Sequence, residues 1–225
     1  YFQRTGFRSD DTAHRSEINY GMAFAGYKNH SLNYKNYPDQ GRLIHIRASY
    51  IQGQENLTPG STSLVDMPQK QNFRYLTFKT EYQHYFPLNK TVTVGADAEL
   101  FVSDKSVMLN YTSTLADAPK YNPFPYAGTL FNDKYRAHNY AAAGFKLIMH
   151  FSDYFSLRAE IQYFQPYRKI SAKIQGDVIT AVFEAPFQHR YFSGRAALVF
   201  QSMAGPVYIS YNYFQNYSHD FYLSV

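Results

Sequence analysis

The sequence predicts an all-β chain: an antiparallel transmembrane β-barrel with short periplasmic turns and long extracellular loops. Three observations predict it: an aromatic-rich, Leu-poor composition, period-two alternation of apolar and polar residues, and connections that fall into two lengths. Of 225 residues, 23 are Tyr and 19 are Phe, with no Trp and no Cys. Aromatic and β-branched side chains suit a pleated, half-buried surface. A disordered chain would hold fewer aromatics and more charge than the 17% found here. The lack of Cys excludes a disulfide scaffold, and a coiled coil or helical bundle would be rich in Ala, Leu, Glu and Lys. The apolar stretches Ala141–Phe145 and Leu147–Met149, separated by Lys146, fall short of the roughly 20 residues a transmembrane helix needs. Residue 1 is Tyr and no basic-then-apolar leader follows, so the chain is expected to begin at an internal or processed position.

The elements follow in order. Ile18, Tyr20, Met22 and Phe24 alternate with Glu17, Asn19, Gly21 and Ala23. Ile44, Ile46, Ala48 and Tyr50 alternate with His45, Arg47 and Ser49, and Leu76, Phe78, Thr80 and Tyr82 with Thr77, Lys79, Glu81 and Gln83. The clearest segment is Val92–Val102, where Val92, Val94, Ala96, Ala98, Leu100 and Val102 line one face; of the residues between them, only Phe101 is bulky and apolar. Phe155, Leu157, Ala159, Ile161 and Tyr163 oppose Ser156, Arg158, Glu160 and Gln162. Together with 140–149, 191–201, 207–214 and 221–225 this makes about nine strands, each with one oily and one polar face.

The connections 87–90, 151–154 and 202–206 are short, whereas 104–139 and 165–189 are long and rich in Pro, Gly, Asn and Tyr. Short turns on one side and long loops on the other are the pattern of outer-membrane barrels. Aromatics near strand ends (Tyr50, Tyr82, Phe86, Phe155, Tyr163 and Tyr167) would then form interfacial girdles, with the oily face toward lipid and the polar face toward the lumen. The bland alternative is a soluble sandwich or barrel, in which the polar face is wet and the apolar face is core. The long and short connections alternate too regularly for it, and its apolar face would mix residue sizes more. The chain reads as one barrel domain over 1–225, incomplete at both ends, because single-chain barrels have even strand numbers and the end Phe221–Val225 lacks a terminal aromatic.

The run Leu109-Asn110-Tyr111-Thr112-Ser113-Thr114-Leu115, then Ala118-Pro119, then Phe131 to Ala137, then Ala142-Ala143-Gly144, resembles the C-terminal barrel of bacterial patatin-like phospholipases. The tail Gly205–Phe214 is similar too, while residues 1–70 carry little of the likeness. The resemblance implies a barrel similar to the sixteen-stranded outer-membrane assembly superfamily, joined to an N-terminal lipase. It places the loop 104–139 between strands eleven and twelve, where the superfamily has a loop that folds into the lumen. The usual V-R-G-[FY] motif is absent, and Tyr135-Arg136-Ala137 stands nearest to it. Neither a G-x-S-x-G nucleophile elbow nor a D-G-[GA] motif occurs in the 225 residues. The implied function is therefore a barrel that anchors or exports a lipase module and is non-catalytic in this segment. The alternatives are a stand-alone porin-like channel and a non-conducting subunit of a larger outer-membrane complex.

By parity, Arg47, Lys79, Glu81, Asp97, Glu99, Arg158, Glu160 and Arg195 form a lumen-facing charge network. Glycosidases also need two carboxylates, but charges that neutralise one another across strands are the plainer reading of these residues. His150 and Ser152 sit close together at a turn without a fixed acid, and the eight His residues lack metal-ligand spacing. No catalytic residue, metal or cofactor is expected. The long-loop candidates are Tyr121, Phe124, Tyr126 and Arg136, as a plug or partner contact or simply as packing over the barrel mouth. A net charge of +5 without a Lys/Arg block argues against nucleic acid. The expected partners are outer-membrane lipid and other outer-membrane subunits or a homodimer partner, in a bacterial outer membrane.

Overall fold

The computed structural model describes residues 12, 15–34, 37–60, 67–125, 127, 132–175, 178–202, 205–215 and 219–224. Among these described residues eleven strands run in chain order: β1 Arg15–His30, β2 Gly41–Thr58, β3 Gln69–Pro87, β4 Val92–Ser103, β5 Tyr140–His150, β6 Phe155–Pro166, β7 Ile170–Gln175, β8 Val178–Phe183, β9 Tyr191–Ser202, β10 Gly205–Phe214 and β11 His219–Ser224. Nine of them form one antiparallel sheet in the order β1-β2-β3-β4-β5-β6-β9-β10-β11. The remaining two, β7 and β8, pair as a separate hairpin within the β6–β9 connection, a stretch in which the alternation pattern shows only a loop. β1 and β11 form the two edges of the sheet. No helix among the described residues is long and apolar enough to cross a membrane.

Local chemistry sets the tight turns. Asn89 Oδ1 accepts from the amides of Thr91 and Val92, both at 2.8 Å. Ser152 Oγ does the same for Tyr154 and Phe155 at 3.3 and 3.1 Å; short polar side chains close turns in this way. Gly41 enters β2 at φ +96°, and a side chain there would collide with the Ser31 carbonyl. Helix α1 (Tyr111–Asp117) lies in the 104–139 connection. It starts at Asn110, whose side chain accepts from the Ser113 amide at 2.7 Å, and ends at Ala118, extended before Pro119.

Burial across the sheet is the reverse of a soluble sheet. On β6, Ser156, Arg158, Glu160 and Gln162 are buried, while Phe155, Ala159 and Ile161 are exposed. Arg158 is 2% and Glu160 4% exposed, against 62% for Ile161 and 52% for Phe145. The strand registers carry the bare apolar row sideways through Ile46–Thr80–Leu100–Ala141 and through Phe145–Ile161–Gly194–Tyr213. Leu76, Phe78, Val102, Leu198, Phe200 and Ile209 all lie exposed in the same band. A soluble monomer rarely leaves so broad an apolar patch bare.

β1 departs from the scheme. Its register sets Met22 opposite Ile51, Phe24 opposite Ser49 and Gly26 opposite Arg47. The bulky residues Tyr20, Met22 and Phe24 therefore share the face of Arg47, and Gly21, Ala23 and Ala25 take the outer one. Pairing with β2 overrides the oily-outward expectation here, because register, not side-chain type, assigns the face.

Candidate functional site: the covered polar face and the loops that fill it

The covered face carries an ionic ladder that crosses strand boundaries. Lys79 Nζ lies 2.5 Å from Glu81 Oε1 on its own strand and 3.2 Å from Glu99 Oε1 on β4. His45 Nδ1 approaches Glu81 Oε2 at 2.8 Å, and the Tyr140 hydroxyl donates to Glu99 Oε1 at 2.5 Å. Asp97 Oδ1 is held by Lys146 Nζ at 2.9 Å and by Gln162 Nε2 at 3.2 Å. Lys146 also reaches the Tyr85 hydroxyl at 3.3 Å. Arg158 Nε pairs with Glu160 Oε1 at 3.2 Å. Seven of the eight charges picked by parity thus lie on this face in polar contact, and each carboxylate among them has a cation beside it. Arg47, the eighth, lies on the same face, over the Phe24 ring at 4.1 Å and 3.6 Å from Met22 Sδ.

Two loops lie over this face from opposite ends of the strands. The first, residues 31–40, joins β1 to β2 at the end that holds the tight turns. Its Tyr37 is 4% exposed and stands at φ +59°. The Arg158 guanidinium donates to the carbonyls of Tyr37 (3.0 Å) and Pro38 (2.9 Å). Arg195 Nη2 donates to the Tyr37 hydroxyl, and the Tyr37 ring packs against Tyr208 at 4.7 Å. Burial raises the Tyr37 phenol well above its ordinary pKa, against the pull of Arg195, so it stays neutral.

The second loop, 104–139, covers the face from the other end. Tyr121 stacks on Phe164 at 5.5 Å and donates to Gln162 Oε1 at 2.6 Å; burial raises its phenol pKa as well. Phe124 meets Phe214 edge-on at 5.9 Å, and the Tyr135 hydroxyl donates to the Phe192 carbonyl at 3.2 Å. These rings form one buried cluster with Phe101, Tyr140 and Tyr191. Phe101, the bulky residue on the polar side of β4, thus belongs to the seat of the loop. The buried Glu55 accepts from the Leu109 amide at 2.8 Å, and Asn110 Nδ2 donates to Ser16 Oγ at 2.6 Å. The loops meet at Arg195, whose guanidinium lies over the rings of Tyr37 (4.8 Å), Tyr208 (5.3 Å) and Phe124 (5.8 Å). Three ring faces thus house a cation that no carboxylate approaches within ion-pair distance among the described residues.

Arg136 serves the loop rather than the sheet. Its Nη1 donates to the carbonyls of Leu115, Ala116 and Ala118 at 3.3, 2.9 and 2.9 Å, satisfying the C-terminal end of α1. Tyr126 lies outside the described residues. His138, also on this loop, is 2% exposed. Burial lowers its pKa to about 4, and its Nδ1 lies 3.3 Å from the Lys105 carbonyl. His150 contacts Thr93 Oγ1 at 3.2 Å and stands 3.7 Å from Asp39, while Ser152 Oγ is taken up by its turn. No group of three metal-ligating side chains occurs among the described residues.

Sequence reasoning left out Lys146, Gln162, Tyr140, His45 and Tyr37. Lys146 had a signal, since it interrupts an apolar strand on the parity of Tyr140 and Ala142. Tyr37 had none, because nothing local tells a loop tyrosine that plugs from one that is solvated. The fold and this face define the class: an antiparallel all-β protein whose polar side is covered by its own loops over β4 to β10 and whose apolar side is bare. No protein family, no curated protein and no solved structure matches the chain.

Proposed function

We propose that this chain is the wall of a transmembrane β-barrel in a bacterial outer membrane, with a filled lumen and no catalysis in this segment. The observation that carries this reading is the inverted burial: a bare apolar band opposite a partly to fully buried ionic ladder. In water the band would be a severe aggregation liability, whereas in a bilayer acyl chains cover it. A barrel also satisfies the backbone without exposing strand edges to lipid. Closure requires partners for β1 and β11, from further strands or a second copy. With the tight turns periplasmic, the 104–139 and 167–190 loops lie on the extracellular side.

The resemblance in residues 109–144 and 205–214 supports the finer reading, that the barrel anchors or exports a patatin-like lipase module. The natural gene product tests it: an upstream segment with G-x-S-x-G and D-G-[GA] supports the lipase, and a signal peptide directly before a few strands removes it. The two loops that fill the polar face favour a non-conducting barrel over a porin-like channel. The barrel itself is tested by outer-membrane fractionation and by heat-modifiable migration in detergent gels. Protein that stayed monodisperse without detergent would overturn it.

A further inference from the structure

Above the apolar band, on the bare face of β1, β2 and β3, lies a groove of about 1040 Å³. Gly21 and Ala23 form its floor, and Tyr50, Gln52, Gln54, Asn72 and Arg74 surround it. Register puts these residues on one face: Gly21 pairs with Gln52 and Ala23 with Tyr50, while Gln52 pairs with Arg74 and Gln54 with Asn72. The space over Gly21 is open, since a Cβ built there meets none of the described residues within 4 Å. β1's departure from the oily-outward pattern creates this space, because its small residues face out where a Tyr or Met would fill the groove.

The hydrogen bonds among these side chains have a direction. The Tyr50 hydroxyl donates to Gln52 Oε1 at 3.2 Å, and Gln54 Nε2 donates to Asn72 Oδ1 at 2.7 Å. Both amide oxygens are thereby engaged, which leaves the Gln52 and Asn72 amide N–H groups as donors beside the exposed Arg74 guanidinium. Among the described residues, no carboxylate lines the groove. On the same face of β1, Glu17 is held by Arg15 at 2.5 Å. Lys70, two residues beyond Asn72 and on its parity, adds a second exposed cation. Directly below, exposed Ala25 and Ala48 make a shallow bed beside Phe78 and Leu76.

The geometry points to a site for a phosphorylated lipid of the surrounding leaflet, its phosphate taken by Arg74 and the amide donors and an acyl chain laid over Ala25 and Ala48. Arg and side-chain N–H donors match phosphate oxygens in charge and direction. The groove opens onto the apolar band, so an amphiphile spans both parts where a free anion uses only one. It lies toward the β2–β3 connection, the end of the long loops. In the proposed orientation, on which this inference rests, the lipid is the phosphorylated glycolipid of the outer leaflet.

The test is native mass spectrometry of the protein in neutral-detergent micelles titrated with lipid A, alongside R74E, G21W, dephosphorylated lipid A and inorganic phosphate. The wild type should retain lipid A, and R74E should bind it about tenfold more weakly. G21W should also bind less, because the indole fills open space, and its heat-modifiable migration should match the wild type. Equal retention by both variants, equal retention of dephosphorylated lipid, or phosphate binding as tight as lipid A would each overturn the site. Protein that folds in micelles yet retains no lipid refutes this inference alone; protein that needs no detergent refutes the barrel reading beneath it.

Discussion

Lys146 stands between Phe145 and Leu147 in the most apolar stretch of β5, and its partner Asp97 lies 2.9 Å away on β4. The pair is nearly buried, with side chains 11% and 12% exposed. Removing one member of such a pair strands the other charge and costs about 3–5 kcal/mol, while replacing both recovers most of the loss. Lys146→Met should therefore destabilise strongly in denaturant titration, and Lys146→Met with Asp97→Asn much less. His138 makes a pH prediction. In the folded loop it binds a proton only near pH 4, whereas in the unfolded chain it does so near its ordinary 6.5. The unfolded chain takes up more protons between these values, so loop stability falls as pH drops through that window and is flat above it. Protease protection of the 104–139 loop should fall between pH 6.5 and 4, and His138→Gln should remove that dependence.

At the scale of elements, the 104–139 loop is an inserted unit with its own helix, held to the sheet by rings and by Tyr121. Gly144 on β5 matters to it, since a Cβ there would collide with the Gln162 amide that receives the Tyr121 hydroxyl. Gly144→Ala should displace that amide and loosen the loop by about 1–2 kcal/mol, read as faster amide hydrogen exchange at 118–124 with the strands unchanged. Arg136 stands nearest to the place of the lumenal anchoring motif that the chain lacks, and its guanidinium closes the end of α1. Arg136→Ala should fray α1 and leave the β-sheet signal of the circular dichroism spectrum intact. The β1 face assignment belongs to this scale as well: Met22 and Phe24 alternate like lipid-facing residues, but the pairing Phe24–Ser49 turns them toward Arg47.

For the molecule as a whole, the same sheet is filled from both ends, by Tyr37 at one and by Tyr121, Phe124 and Tyr135 at the other. In the barrel reading this predicts a silent protein in planar bilayers. The triple variant Tyr37→Gly, Tyr121→Ala, Phe124→Ala should admit ions, because it removes two of the three rings around Arg195 and the stacking of Tyr121 on Phe164. A wild type that conducts steadily would instead restore the porin-like reading.

Alternation by itself determined the all-β class and most strands of the sheet, because a period of two is the geometry of a strand and needs no knowledge of neighbours. Parity also placed Lys79, Glu81, Asp97, Glu99, Arg158, Glu160 and Arg195 on one face. Only the tertiary structure decided which charges meet: Lys79 reaches Glu99 while Asp97 goes to Lys146, and Arg195 meets three rings instead of an acid. Those choices depend on register between strands far apart in sequence and on how loops fold back. The face of β1, the β7–β8 hairpin and the seating of Tyr37 are of the same kind, since each is set by a long-range partner that local pattern does not name.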